Sequence, residues 1–186
     1  MNKYRYKRPP LATTVIHWLV LMGTAGLVLL IDQVTKLLVT EELALGQTWT
    51  PIPALADVFA ITRSANTGAA LGILPQAGDI FLVIALVMMM AIIVFYHRMP
   101  PGHWLERIGL GLLLGGAAGN AVDRLRLGYV VDFVHLQFRP FISNVSNLAD
   151  HAIVIGILIL FLVQWTTGPN RKPAPPVEPV ETDKFT

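Results

Sequence analysis

Charged residues leave four gaps along this chain. Leu11 to Ile31 holds no Asp, Glu, Lys or Arg over 21 positions, enough to cross a hydrocarbon core at about 1.5 Å per residue. Ile80 to Tyr96 is a second such run, free of glycine and proline, and Ala152 to Asn170 is a third, apolar through Trp165. Between them, Ile108 to Val122 is uncharged for 15 residues and carries Gly109, Gly111, Gly115, Gly116 and Gly119. Small residues let helix backbones approach closely in lipid, so this short run predicts the inner helix of a bundle. It must borrow Asn120, Asp123 and Arg124 to finish its crossing, and ionisable groups there need protein partners. The pattern therefore predicts an all-α membrane protein of four transmembrane helices.

The segments between the runs read differently. Thr40 to Asp79 is a long stretch in which Val58 to Thr62 is β-prone and Pro51 and Pro53 mark a boundary, predicting a small sheet on the membrane surface that shapes a groove for an extended peptide. Residues 134–149 are expected to include a short mobile flap that closes a site. From Gly168 onward the chain has five prolines and mixed charges, as in a flexible extension without a core. Residues 1–167 thus form the transmembrane domain and residues 168–186 a tail with no expected chemistry.

Composition sharpens this picture. The 186 residues are 54% hydrophobic and 14% charged, with a mean hydropathy of +0.58, outside the range of soluble domains. The net charge of +2 is small, and the basic residues sit near segment ends, as for membrane orientation and not for nucleic-acid binding. Nine Lys and Arg fall on the side of the termini (Lys3, Arg5, Lys7, Arg8, Arg98, Arg107, Arg171, Lys172 and Lys184) and five on the other, which predicts that both ends are cytoplasmic. The basic arm followed by an apolar run also suits a cleaved signal. The run is too long for that, however, and Asp32 to Lys36 is a poor cleavage context. Trp18, Trp104 and Trp165 fall near span ends on the cytoplasmic side. Cysteine is absent, which excludes disulfides, thiolate metal sites and a cysteine nucleophile.

With this topology the unusual polar residues gather at the outer interface: Asp32, Asn66, Asn120 to Arg124, Asp132 and Asp150. Two carboxylates in a partly desolvated site share a proton, and such a pair activates water while polarising a carbonyl. The sequence holds no G-x-S-x-G elbow and no H-E-x-x-H zinc helix. Spacing alone leaves three readings open: hydrolysis, structural pairing, and a proton-coupled carrier with Asp32, Lys36, Asp123, Asp132 and Asp150 as relay groups. Asp32 and Lys36 are four apart on one helix face, fit for an interfacial ion pair with Lys36 snorkelling or for support of a site. Asp123 and Arg124 are adjacent and diverge on a helix, so they suit holding outer loops more than pairing with each other. Asn120 shares a face with Asp123, as a member of a polar network would. Asn66 and Gly68 fit a turn or a grip on a substrate segment. Asn147 fits a helix cap or an orienting contact to Asp150. His151 fits a histidine at a wet helix end better than a proton shuttle.

Four stretches, "DQVTK" at 32–36, "NTGAALG" at 66–72, "GGAAGNAVDRLRLGYVVDF" at 115–133 and "NLADHAIVIG" at 147–156, together resemble the bacterial signal peptidase II family of aspartic peptidases. The resemblance runs from about Leu11 to Trp165. It implies a catalytic pair of Asp132 and Asp150, with Asp32, Lys36, Asn66, Gly68, Asn120, Asp123, Arg124 and Asn147 on motif positions around them. It also implies a substrate, diacylglyceryl-modified prolipoprotein, cut on the amino side of the lipidated cysteine at the outer face of the bacterial inner membrane. Membrane lipid is the other expected partner; no metal, cofactor, nucleic acid or obligate protein partner is implied. The chain departs from the family pattern at Ser146, where an aromatic is usual, and at His151, where Ser or Thr is common. Leu71 stands for a phenylalanine and Ala65 for an arginine. These departures bear on the pocket lining and the pH response.

Overall fold

A computed structural model describes residues 11–68, 78–96, 99, 102–138 and 142–167. The arm before Leu11, Leu71 and the tail 168–186 lie outside the described residues. Along the chain come α1 (Leu11–Glu42), β1 (Thr48–Trp49), a 3-10 turn (Pro53–Leu55), β2 (Phe59–Asn66), α2 (Gly78–Tyr96), α3 (Trp104–Leu127), β3 (Val130–Phe138), β4 (Ile142–Ser146) and α4 (Leu148–Thr167).

α1, α2 and α4 are long and apolar enough to cross a membrane by length and composition. α3 reaches a comparable length by taking in charged residues at both ends, 24 residues in all, about 36 Å of helix. It packs against each of the other three helices, and its glycines divide the work. A methyl group at Gly115 would lie 2.5 Å from the Ala25 carbonyl oxygen of α1, and one at Gly116 would lie 2.5 Å from the Ala149 carbonyl oxygen of α4. Only hydrogen fits at either position, so the two neighbouring backbones come within reach of α3. The apolar core beside these contacts is Leu21, Ala25, Ile92, Tyr96, Leu113 and Leu114.

α1 continues past Asp32 to Glu42, with Asp32 and Lys36 turned inward, 0% and 3% exposed. The Lys36 ammonium is buried and not snorkelled. Arg63 of β2 closes this helix: its Nη1 donates to the carbonyl oxygens of Thr40 at 3.0 Å and Leu43 at 2.9 Å, placing positive charge where helix carbonyls are unsatisfied. α3 ends on Gly128 at φ 79°, whose amide donates to the Arg124 carbonyl; the left-handed turn there redirects the chain into β3.

The four strands form one antiparallel sheet in the order β1-β2-β3-β4. It is larger than the Val58–Thr62 signal predicts. Residues 134–149, expected to include a short flap, hold the outer part of β3, all of β4 and the start of α4, with 139–141 outside the described residues. A bulge between Ile61 and Ser64 changes the pairing of β2 with β3 by one residue. Before it Ala60 stands opposite His135; after it Ser64 and Asn66 stand opposite Asp132 and Val130. The extra residue exchanges the faces of β2, so Asn66 shares the face of Asp132.

Candidate active site

Asp132 lies on β3 and Asp150 in the first turn of α4, and one side chain reaches both. Asn147 is fully buried and precedes α4. Its Oδ1 accepts the Asp150 amide at 2.9 Å while its own amide meets Asp150 Oδ2 at 3.4 Å, a reciprocal cap of the helix N-terminus. Its Nδ2 donates to Asp132 Oδ1 at 2.6 Å and to Asn120 Oδ1 at 3.2 Å. Capping and orientation, left as alternatives by the sequence, are thus performed by the same group.

Asn120 of α3 supplies the second link. Its Nδ2 donates to Asp150 Oδ1 at 2.7 Å, and its Oδ1 also accepts from Lys36 Nζ at 3.1 Å. Lys36 in turn lies 2.8 Å from both Asp32 Oδ2 and Asp123 Oδ2. Asp32 Oδ1 accepts the Ala149 amide of α4 at 3.0 Å, and Asp123 Oδ2 accepts the Val131 amide of β3 at 3.0 Å. The two supporting carboxylates therefore fasten the start of α4 and the start of β3, the elements that carry Asp150 and Asp132. The close approach depends on Gly119, where a methyl group would sit 2.5 Å from Asp32 Oδ2.

Asn66 Nδ2 donates to Asp132 Oδ2 at 2.9 Å, and its Oδ1 accepts the Gly68 amide at 3.1 Å. The turn and the polar contact thus use opposite ends of one amide. Arg124 leans over the Phe81 ring of α2 at 5.6 Å, and its Nη1 donates to the Asn120 carbonyl at 3.5 Å. Its guanidinium is near enough to feel the charges of Asp150, Asp132 and Asp123. All ten residues singled out in the sequence meet at this end of the bundle.

Gln33 completes the site and was not singled out. Its Nε2 donates to Asp123 Oδ1 at 2.9 Å, and lies 3.3 Å from both the Gly119 carbonyl and Asp32 Oδ2. The signal was present, since Gln33 is the one amide inside "DQVTK" in an otherwise apolar helix.

Asp132 is 2% exposed. Burial, with the Asp150 carboxylate adding to it, pushes its carboxyl up to about 6, against the pull of hydrogen bonds from Asn66 and Asn147 and the charge of Lys36. Four carboxyl groups here face two cations, Lys36 and Arg124. Full ionisation would leave uncompensated buried charge, so a proton held on Asp132 relieves the imbalance.

The chain as a whole is similar to known proteins. The chain is 40% identical over 139 residues to a lipoprotein signal peptidase of Halothermothrix orenii, spanning 75% of this chain and 90% of that protein. It is 39% identical over 148 residues to a lipoprotein signal peptidase of Anoxybacillus flavithermus, 80% of this chain and 86% of the other. A bacterial membrane enzyme solved by the in meso method superposes with a TM-score of 0.73 at 26% identity, covering 92% of this chain and 98% of that one. A second such structure superposes at 0.69, also at 26% identity, covering 88% of this chain and 99% of the other. The model of the family described as Signal peptidase (SPase) II matches residues 24–166, and the chain belongs to that family of peptidases.

Proposed function

We propose that this protein is a membrane aspartic endopeptidase that removes signal peptides from lipoprotein precursors, with Asp132 and Asp150 as its catalytic pair. The observation that carries the reading is the convergence of two carboxyl groups from different elements on Asn147 and Asn120. Asp150 lies at a helix N-terminus, where an anion is favoured, and acts as the base. Asp132 carries the shared proton and donates a hydrogen bond to the scissile carbonyl oxygen. Water attacks the carbonyl carbon as Asp150 takes its proton and Asp132 gives its own to the carbonyl oxygen, giving a tetrahedral diol. Collapse of the diol breaks the C–N bond: the leaving nitrogen takes the proton from Asp150, and Asp132 regains a proton from the diol hydroxyl. Water is the only co-reactant.

The substrate is a diacylglyceryl-modified prolipoprotein cut on the amino side of its lipidated cysteine, with its acyl chains in lipid and its peptide along the sheet. Both termini lie in the cytoplasm and the site at the extracytoplasmic face, in keeping with the nine-to-five distribution of basic residues. The supporting positions Asp32, Lys36, Asn66, Gly68, Asn120, Asp123, Arg124 and Asn147 hold the pair in place. The test is cleavage of a lipid-modified prolipoprotein by purified protein in detergent, wild type beside Asp132→Asn and Asp150→Asn. Wild type should cut and both variants should bind without cutting. Near-normal turnover in either variant would rule out the pair, and no cleavage of a verified substrate by wild type would rule out the activity.

A further inference from the structure

Ser146 and His151 bracket the segment that contains Asn147 and Asp150. Ser146 ends β4 and is buried; His151 lies five residues later in the first turn of α4. Ser146 Oγ and His151 Nε2 are 3.1 Å apart. Ser146 Oγ also donates to the carbonyl oxygen of Val134 at 3.5 Å, its direct partner on β3, two residues beyond Asp132. A hydroxyl has one proton to give. With that proton directed at Val134, Ser146 accepts from His151, and Nε2 carries the hydrogen. The chain of bonds runs one way, from α4 through the end of β4 to the strand that bears Asp132.

We propose that the Ser146–His151 hydrogen bond is a latch that positions Asp150 against Asp132, with His151 as a positioning residue that does not touch substrate. The inference rests on the reading of Asp132 and Asp150 as the catalytic pair. The need for it lies in Asn147. β4 becomes α4 across this single residue, whose side chain must meet Asp132, Asn120 and the Asp150 amide together. A displacement of about 1 Å at such a point costs on the order of a hundredfold in rate. The latch closes a loop around the junction and fastens it to β3.

The test measures prolipoprotein cleavage by the full chain in detergent for wild type, Asp150→Asn, His151→Ala, His151→Gln, Ser146→Ala and the double alanine variant, with a thermal midpoint for each. His151→Ala and Ser146→Ala should each lower kcat about tenfold and leave KM within about twofold, the scale of one lost hydrogen bond expressed only in orientation. The double variant should be no slower than the worse single variant, because both remove one bond. His151→Gln, whose amide nitrogen can stand where Nε2 stood, should recover kcat to within about threefold of wild type. Wild-type kcat in His151→Ala, additive losses in the double variant, or a folded His151→Gln as slow as alanine would each overturn the latch. Should His151→Ala fail to fold, Ser146→Ala and His151→Gln decide the matter by the same criteria. Turnover by Asp150→Asn would instead overturn the pair itself, and the latch with it.

Discussion

Lys36 and Arg107 are both buried cations in the same bundle, 3% and 1% exposed, and they are held by different means. Lys36 sits between the carboxylates of Asp32 and Asp123. Arg107, sixteen residues before Asp123 on α3 and so about 24 Å away along the helix, lies 5.0 Å over the ring of Tyr96 and donates to the Met99 carbonyl at 3.4 Å. Around it the Tyr96 hydroxyl donates to the His17 carbonyl at 2.5 Å. Trp18 meets the Tyr96 ring edge-on at 4.7 Å, and Trp104 meets the His17 ring at 5.1 Å. Leu21, Ala25, Leu113 and Leu114 lie between the two ends, an apolar layer that a proton-coupled carrier would have to breach. The contrast separates two uses of a buried charge. Carboxylates around an ammonium build a fixed field that sets which neighbouring group keeps a proton. A π face and a carbonyl anchor a guanidinium and join helices through shape.

Five substitutions would break or sharpen this contrast. The largest effect is expected from Asp132→Asn or Asp150→Asn, with turnover lower by about a thousandfold or more. Asp132→Asn also tests the charge balance through pH. The Asp132 carboxyl moves from an ordinary 3.8 to about 6 on folding, so between these values the folded state holds a proton that the unfolded state has lost. Wild-type stability should fall relative to Asp132→Asn as pH rises through that window, by up to about 3 kcal/mol, and run parallel to it above. Thermal midpoints of the two proteins from pH 4 to 8 check this, and parallel curves throughout would remove the raised carboxyl. Next comes Lys36→Met, which leaves two buried carboxylates facing each other and should lower stability by about 3–5 kcal/mol in denaturant titrations. Asn66→Ala removes a donor to the ionised form of Asp132. The alkaline limb of kcat/KM, expected near the Asp132 value of about 6, should therefore move to higher pH. The smallest effect belongs to the opposite end: Tyr96→Phe deletes the bond to the His17 carbonyl and should lower stability by about 1 kcal/mol while turnover stays unchanged.

The bundle was legible because hydrocarbon imposes its own length on uncharged runs, and the glycines of α3 announced a helix packed on several sides. The convergence of polar residues at one end was legible for the same reason. Two things were not. A charge in a sequence carries no mark of its burial, so Asp32 and Lys36 fitted a snorkelling interfacial pair as well as support of a site, and their inward turn shows only in the fold. Their partners, Asp123 and the Ala149 amide, lie 87 and more residues away. The strands β3 and β4 were not anticipated, although "VHLQF" at 134–138 alternates apolar and polar residues as a strand does. Asn147 shows the limit of local reasoning from the other direction: both readings of it were available, and only its placement beside Asp132 joins them.

The bulge in β2 breaks the alternation of that strand. Along a regular strand the side chains alternate strictly, so residues an odd number apart face opposite sides. Between Ile61 and Ser64 an extra residue is absorbed, so that Ile61 and Asn66, five apart, serve one side of the sheet. Removing Arg63 would take out that extra residue: β2 and β3 would pair as a regular ladder with Ser64 and Asn66 still opposite Asp132 and Val130, and the loss would fall on the end of α1, whose Thr40 and Leu43 carbonyls Arg63 holds.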